Sequence, residues 1–481
     1  MPISSPGIGS GLDVNSIVTK LVALEKRPLG LMQTKGNVLQ SKLSAWGQIK
    51  SALATLDDAG TALATASTWN GRTFTSNNTS VTGSATATAL ASSFSLEVTN
   101  LAKTQSVKSG QLPTGSAIGS SGTLSIQVGQ WTGVGAGTNF AGGAAPAVDI
   151  SVASTDTLSD LASKINNAGA GVTALVVTNA GQDQLLIRGN ATGDASGFRI
   201  QAADGGGVPI TNGSGVGGFA FAHDGASFYG ATRTQEALNA NLKIDGIDVT
   251  SATNTVSNAV PGVTLNLTAN TAAPVQITVG VDKEATKSKI EAFRVAYNSA
   301  RTLINNLTNY DEGTKNGGPL LGDGTAMGVD SMLRNLAGSN GPSANVGGIN
   351  RLSDMGLQMQ RDGTLTTNTS KLDAAMNNLG ALQTFLTNSS SAPTPGDGIA
   401  RRIRDFARGA NSSDGNVSGR SAALKKAISN NTKDMDAFSV RVARTETRLY
   451  AQFSRLDANV GTINSLGNFV SQQIAQWNKS G

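Results

Sequence analysis

The chain has 481 residues and a formal net charge of +5, with only 4% aromatic and 14% charged residues. It contains no cysteine, which excludes disulfide bonds, thiolate nucleophiles and sulfur ligands for metals. The single histidine excludes a multi-histidine metal site, and a charge of +5 over this length is too small to indicate nucleic-acid binding by itself.

The chain begins with a glycine-rich segment. Gly7, Gly9 and Gly11 have G-x-G-x-G spacing, and a helical pattern follows directly. A dinucleotide-binding loop needs a preceding strand, and a second strand within about 30 residues. Here the glycines lie too close to the start of the sequence for a strand, and helix follows helix. The glycines therefore favour a flexible lead into a helix capped by Asp13 over a phosphate-binding loop.

The first residues also lack the basic and apolar regions of a secretory signal peptide. Since no run of about 18 apolar residues occurs, we expect no membrane-spanning helix. These features predict a cytoplasmic protein, unless an export route reads something other than a hydrophobic signal.

Two helices are predicted next. The first covers residues 13–27, and Pro28 breaks or restarts it. The second runs from about residue 29 to residue 66. Its apolar residues alternate spacings of three and four, which is a heptad seam typical of a coiled coil. The seam consists of Trp46, Ile49, Leu53, Leu56, Gly60 and Leu63.

Residues 70–283 are rich in Gly, Thr and Ser and show repeated strand patterns, such as the alternation in FSLEVTNL and TLSIQV. One helix interrupts them at TLSDLASKINNAG, with Gly169 as its predicted stop. Residues 201–230 are predicted to form long loops. Asp245 and Gly246 mark a hairpin turn.

Helical patterns then return. Residues 290–307 form one helix and residues 329–336 a short one, followed by a hairpin that turns at Asp362 and Gly363. A further helix is predicted near residues 370–387. Pro393 and Pro395 mark a linker.

The C-terminal end has the most regular pattern, because apolar residues recur there every seven positions. Most of the second seam positions, from Asn431 onward, are polar, and polar seam residues cost stability and fix register. We therefore expect a helix that is marginal alone, and we favour assembly with partner helices over packing on its own domain. The repeated residues are Ile428, Met435, Val442, Leu449, Leu456, Ile463, Val470 and Trp477.

No catalytic motif stands out. His223 lies in a Gly-rich stretch without a G-x-S-x-G elbow, so we interpret it as a surface or loop histidine. A hydrolase in the variable region is the alternative that a His223→Ala variant would test. Carboxylate pairs such as Asp57-Asp58 are interpreted as solvated charge.

Residues 399–455 are basic, with 12 Lys and Arg against 5 Asp and Glu. A nucleic-acid surface would interleave aromatic residues with these charges, and few occur. We therefore predict a solvated helix face or a contact with a partner subunit. The positive charge is concentrated at Arg401, Arg402, Arg404 and Arg408.

Several stretches together resemble the flagellar filament-capping family, also called hook-associated protein 2. The N-terminal stretch GIGSGLDVNSIVTKLVALEKRPL is similar to that family's opening, and SFSLEVTNLAKTQ to its first strand signature. TLSDLASKINNAGAGVTALVV resembles the I-N motif shared with flagellins, here Ile165-Asn166. RLYAQFSRLDANVGTINS resembles the family's C-terminal signature.

The resemblance implies an α+β multidomain protein, in which the N- and C-terminal helices form a coiled-coil leg and two central, mainly antiparallel β domains form a head. It implies a terminal leg helix at 1–40, a leg helix at 41–85, and an inner β head domain at 86–112 with 241–283. An outer variable β domain with the I-N motif follows at 113–240, a leg helical domain with a β-hairpin at 284–400, and coiled-coil helices at 401–481.

The implied function is that of a structural protein without catalytic activity or cofactor. It would form a homo-oligomeric ring at the filament tip, promote ordered polymerisation of exported flagellin and prevent its loss. Hook–filament junction proteins and a flagellar type III export chaperone are further implied partners, without nucleic acid or membrane insertion. The implied location is extracellular, with export that leaves no cleaved signal peptide. An adhesin that binds mucin or host surfaces through the β domains is the alternative.

Overall fold

The computed structural model describes residues 13–133, 138–313, 315–342, 348–389 and 396–478. The chain divides into two units, one built from both ends of the sequence and one from its middle. The first comprises Met1–Trp69 with Glu284–Gly481, and the second comprises Asn70–Lys283.

Helices build the first unit. Asp13 caps the first of them by accepting a hydrogen bond from the backbone N–H of Ser16 at 2.9 Å, as the sequence predicts. Only Lys26 separates the first two helices, because Pro28 fits the first turn of a new helix. The helices are α1 (Val14–Glu25), α2 (Arg27–Ala64), α3 (Ala66–Asn70), α5 (Lys283–Thr308), α6 (Gly324–Gly338), α7 (Thr369–Ala375), α8 (Leu379–Thr387), α9 (Ile399–Asn411) and α10 (Asn416–Trp477).

Most of these helices share one hydrophobic core, in which α2 packs against α9 and α10. Trp46, Phe293 and Tyr297 are among its largest fully buried side chains. Two short hairpins complete the unit, and the second turns at Asp362-Gly363 as predicted. Their strands are β20 (Tyr310–Asp311), β21 (Asn316–Gly317), β22 (Leu357–Met359) and β23 (Leu365–Thr367).

A second, smaller cluster joins the two ends of the chain. Val14, Val18 and Val22 of α1 are buried against Phe438 and Val442 of α10. Their positions follow the helical period on both helices, so each apolar stripe covers the other. We refer to residues 13–50, which include α1 and the start of α2, and to residues 421–477 of α10 as the helical arm.

The second unit consists of antiparallel strands around two hydrophobic cores, with α4 (Leu158–Ala168) as its α-helix among the described residues. Its strands are β1 (Arg72–Ser76), β2 (Val81–Ala85), β3 (Ser92–Asn100), β4 (Ser106–Pro113), β5 (Gly122–Thr132), β6 (Asn139–Gly142), β7 (Val148–Val152), β8 (Val172–Asn179), β9 (Gln182–Gly189), β10 (Gly197–Asp204), β11 (Pro209–Ile210), β12 (Phe221–His223), β13 (Phe228–Gly230), β14 (Thr232–Gln235), β15 (Ala240–Ile244), β16 (Ile247–Ser251), β17 (Thr255–Ser257), β18 (Val263–Leu267) and β19 (Val275–Val281).

Each core lies within a pair of sheets. One pair has the strand orders β1-β19-β3-β15-β16 and β17-β18-β2. The other has the orders β13-β12-β10-β5-β6, with β7 beside β5 and β11 beside β10, and β14-β4-β9-β8, and α4 packs on this second pair. Alternate residues of the strands face each core, as in Phe94, Leu96 and Val98 of β3. The expected α+β fold with long terminal helices and central antiparallel β structure is therefore confirmed.

Several boundaries differ from the sequence-based prediction. The leg helix expected to reach residue 85 ends at Ala64, and α3, β1 and β2 follow. The β-branched and aromatic residues Thr73, Phe74 and Thr75 favour a strand at β1. The loops expected over 201–230 contain β11, β12 and β13. The helix expected near 370–387 is two helices, since the Asn378 side chain accepts a hydrogen bond from Ala381 N–H and starts a new one.

No helix among the described residues is long and apolar enough to cross a membrane. Gly7, Gly9 and Gly11, together with the linker prolines Pro393 and Pro395, lie outside the described residues.

Candidate assembly surface on the C-terminal helix

The C-terminal heptad repeat divides α10 into two parts with different surroundings. The helix has 62 residues, which at 1.5 Å per residue spans about 93 Å. Among the first four residues of the repeat, Val442 is buried, and Ile428, Met435 and Leu449 are half-buried. Since Val442 and Leu449 belong to the cluster with α1, this half of the seam has partners within its own chain.

A polar residue lies inside this first half. Asn431 is buried, and its Nδ2 donates a hydrogen bond to the backbone oxygen of Met32 on α2 at 3.0 Å. Gly36 leaves room for it, because a Cβ there would lie 3.2 Å from the same nitrogen. A directional bond to one carbonyl selects one register of α10 against α2.

The second half of α10 exposes its apolar residues. Leu456 is 46% exposed, Ile463 66%, Val470 48% and Trp477 84%. Three more large apolar side chains on the same segment, Leu466, Phe469 and Ile474, are at least half exposed. We call these seven residues the distal apolar face. Phe469 lies outside both seam positions, so the heptad pattern alone missed it.

A row of large apolar side chains on one solvent-exposed helix is unusual for a monomeric surface and is typical of a contact surface. An isolated helix is only marginally stable in water, because its apolar side chains are not packed against another element. The distal apolar face is therefore a candidate contact surface.

The predicted N-terminal seam, unlike the distal apolar face, is buried within its own chain. Trp46, Ile49, Leu53, Leu56 and Leu63 are all fully buried in the large core of their own unit. Their heptad spacing is satisfied within the chain, because α9 and α10 lie along α2. These five residues consequently have no exposed side chain to offer a second copy.

The close contact of α2 with α9 depends on Gly60. A Cβ at this position would lie 2.7 Å from the Cβ of Arg404. Gly60 thus occupies a seam position because the neighbouring helix approaches closely, which the spacing alone did not indicate.

The basic cluster at the start of the C-terminal segment is engaged within the chain. Arg408 Nη2 donates to Asp57 Oδ1 at 2.8 Å, and this hydrogen bond raises the pKa of Arg408. Arg404 is buried and pairs with Asp405. The expectation of a solvated face is therefore wrong for Arg404, whereas Arg408 is exposed and Asp57 is half-buried in its pair with Arg408. The two helices α2 and α9 bring the opposite charges together.

His223 lies at the end of β12 and is half-buried. Its Nδ1 accepts a hydrogen bond from the backbone N–H of Gly225 at 3.1 Å, and its ring meets the Phe228 ring edge-on at 5.0 Å between centroids. These contacts give it a structural role in the β12–β13 turn. Across the part of the chain that the structure describes, no group of three or more potential metal ligands occurs.

The sequence matches three family models. Residues 237–465 match "Flagellar hook-associated protein 2 C-terminus", and residues 10–105 match "Flagellar hook-associated protein 2 N-terminus". Residues 132–191 match "Flagellin hook IN motif".

Similar proteins carry the same description. The chain is 29% identical over 486 residues to the A-type flagellar hook-associated protein 2 of Pseudomonas aeruginosa, covering 98% of this chain and 96% of that protein. It is 28% identical over 485 residues to flagellar hook-associated protein 2 of Escherichia coli K12, covering 98% of each. The solved D1-D2-D3 domains of the E. coli flagellar cap protein FliD superpose with a TM-score of 0.59 at 26% identity, covering 79% of this chain and 99% of that one.

Proposed function

This chain belongs to the flagellar hook-associated protein 2 family of filament cap proteins, and from that premise we propose that it assembles as a homo-oligomeric ring at the distal tip of the filament. There it promotes the ordered polymerisation of exported flagellin and prevents the loss of flagellin subunits. Its role is structural, without a catalytic step. It works outside the cell and reaches the tip by flagellar export without a cleaved signal peptide.

The observation that carries this proposal is the distal apolar face of α10. The face is continuous with the half of the helix that packs in the chain's own arm. A helix anchored at one end and apolar at the other presents a ready contact for helices of neighbouring subunits. Because the contact buries one face of one helix only, it can release and re-form as subunits are added.

The same architecture supports the remaining assignments. We infer that the helices of the first unit, over 1–40, 41–64 and 284–481, form the leg, and that the β domains over 70–283 form the head. The hook–filament junction proteins and an export chaperone complete the set of proposed partners.

A complementation experiment tests the proposal. The exposed residues Ile463, Phe469 and Ile474 are changed together to Ser, and the control carries Asn468→Ser and Gln472→Ser on the same segment. The variants are expressed in cells of a motile strain from which the strain's own copy has been deleted. There the control should restore filaments with a plate at the tip. The apolar variant should leave flagellin unpolymerised in the medium, because the partner contact loses its apolar area.

Electron microscopy of filament tips and the amount of free flagellin measure the outcome. Circular dichroism of the purified variants shows that both remain folded, since the changed side chains lie outside the cores. Full restoration by the apolar variant would contradict a role of the distal face in assembly.

A further inference from the structure

The helical arm carries more positive charge than the whole chain. Residues 13–50 and 421–477 together hold 13 Lys and Arg against 6 Asp and Glu, a difference of +7, whereas the entire chain has +5. The rest of the protein is therefore slightly negative, at −2. This asymmetry separates the arm electrostatically from the other parts of the chain.

On α10 the positive charges form a row. At 100° per residue, six of the seven Lys and Arg after residue 421 fall within a sector of about 80° around the helix axis. The centre of this sector lies about 120° from the centre of the buried row that contains Leu424, Asn431 and Val442. We call the six residues the basic row: Lys426, Lys433, Arg441, Arg444, Arg448 and Arg455.

The basic row is long and open. Its ends are 29 residues apart, which corresponds to about 44 Å along the helix. All six residues are exposed. Arg441 stacks on the ring of Phe438 at 4.4 Å, and none of the six belongs to an ion pair recorded among the described residues.

A row of this kind is unfavourable for the isolated helix. Arg441, Arg444 and Arg448 follow one another at spacings of three and four residues, and like charges at these spacings repel each other. Acidic residues on α10, such as Asp436 and Glu446, lie outside the sector. A partner that brings negative charge along the row removes this repulsion.

The charge of the basic row indicates which kind of partner can bind it. A second copy laid along the same row would bring like charge against like charge, so it does not fit. Nucleic-acid surfaces interleave aromatic residues with the cations, whereas Phe438 is buried beneath Arg441. We propose that the basic row is a docking surface for an elongated acidic protein surface, presented by flagellin subunits in the assembled filament. This inference rests on the proposed function for the identity of that partner.

Two variants with equal charge change test the inference. The row variant carries Lys433→Glu, Arg444→Glu and Arg448→Glu. The control carries Lys35→Glu, Lys50→Glu and Lys425→Glu, which are exposed positions of the same arm outside the row. Binding of each full-length protein to purified, immobilised flagellin filaments is measured as an association rate at 50 and 300 mM NaCl.

The wild-type rate should fall with salt, because exposed charges are screened. At 50 mM NaCl the row variant should associate at least about tenfold more slowly, with little remaining salt dependence, and the control variant should stay within about threefold of wild type. Circular dichroism confirms that both variants are folded.

Equal slowing of both variants would overturn the docking row, since only net charge would then matter, while the proposed function would stand. Wild-type protein that fails to bind filaments at either salt concentration would overturn the docking row and the proposed flagellin partner together. Tighter wild-type binding to a 30-base-pair DNA duplex than to filaments would overturn the assignment to an acidic protein.

Discussion

At the scale of single residues, Arg301 shows how one buried side chain fixes a turn. Its Nε and Nη2 donate to the two carboxylate oxygens of Asp330 at 3.0 and 2.8 Å, and its Nη1 donates to the backbone oxygen of Asp362 at 2.8 Å. Gly363 follows with φ of +78°. A Cβ at Gly363 would lie only 1.5 Å from Arg301 Nη1.

Gly363→Ala should therefore destabilise the first unit strongly. The left-handed backbone strains alanine, and the new methyl group displaces the guanidinium from its buried pair with Asp330, at a cost of about 3 kcal/mol. Gly322→Ala is the control, because Gly322 also has a positive φ of +74° but nothing within 4 Å of its Cβ position. Urea unfolding should show about 1 kcal/mol for the control. Equal losses would contradict the role of Arg301.

Tyr297 should make the free energy of unfolding depend on pH. It is fully buried, and burial raises the pKa of its phenol from 10.0 to about 12. Between pH 10 and 12 the unfolded chain loses this proton while the folded chain keeps it. The free energy of unfolding should therefore fall across this window by roughly 1.4 kcal/mol per pH unit, and the contribution is fully present below pH 10.

The difference between wild type and Tyr297→Phe isolates this group from the lysines that titrate in the same range. Urea unfolding at pH 9, 10, 11 and 12 should show that the free energy of unfolding of wild type falls relative to that of Tyr297→Phe as the pH rises. Parallel curves across all four pH values would show that Tyr297 does not titrate differently in the folded state.

At the scale of elements, α4 shows how the chain protects a sheet edge. The helix begins with a capping box, in which the side chains of Thr157 and Asp160 bond to each other's backbone N–H groups, and it ends at Gly169 with φ of +66°. The hydrogen bond from the Thr157 backbone lowers the pKa of Asp160. Asn166 on this helix accepts from Ala174 N–H at 2.7 Å and donates to Ala174 O at 2.8 Å. Ala174 lies on β8, the last strand of its sheet, so Asn166 occupies backbone groups that would otherwise be open to another strand.

Asn166→Ala should remove both bonds and expose this edge. The Ala174 amide should then exchange with solvent faster, and the second unit should lose about 1 to 3 kcal/mol of stability. Asn167→Ala is a matched control on the same helix, because Asn167 is exposed. Hydrogen exchange measured by NMR distinguishes the two variants. Unchanged protection of Ala174 in Asn166→Ala would contradict this account of the I-N pair.

The two halves of α10 show that one repeat can serve two environments. Val442 is buried against α1, whereas Ile463, three heptads later, is 66% exposed. The difference arises because α1 and α2 extend along only part of the longer helix. The structure therefore restricts the proposed assembly surface to the residues from Leu456 onward.

At the scale of the whole molecule, the second unit is inserted between the two parts of the first. Its chain enters and leaves side by side, since Arg72 pairs with Val281 and Asp282 N–H donates to Gly71 O at 2.9 Å. The unit has its own hydrophobic cores. Adjacent ends and separate cores are features of a domain that folds independently.

A fragment of residues 71–282 should therefore fold alone, with a cooperative thermal transition and native strand content. The matching deletion, in which three Gly or Ser residues replace 71–282, should keep the first unit folded, because Thr286 Oγ1 donates to Thr68 O at 2.6 Å and already joins its two parts. Calorimetry and far-ultraviolet circular dichroism measure both proteins. A fragment that remains unfolded would show that the second unit depends on the first.

The sequence by itself determined the local features of this protein. Helix period, capping and turn chemistry depend on only a few neighbouring residues. Short stretches of sequence were therefore enough to predict the heptad repeats, the Asp13 cap, the Gly169 stop and the Asp362-Gly363 turn. The family could also be identified from such stretches. Only the tertiary structure decided which apolar face is covered by the chain itself. A repeat specifies that Leu53 and Ile463 lie on apolar faces, but whether a face is buried depends on helices hundreds of residues away. Leu53 lies in the core that α2 shares with α9, whereas Ile463 belongs to no core formed by the described residues.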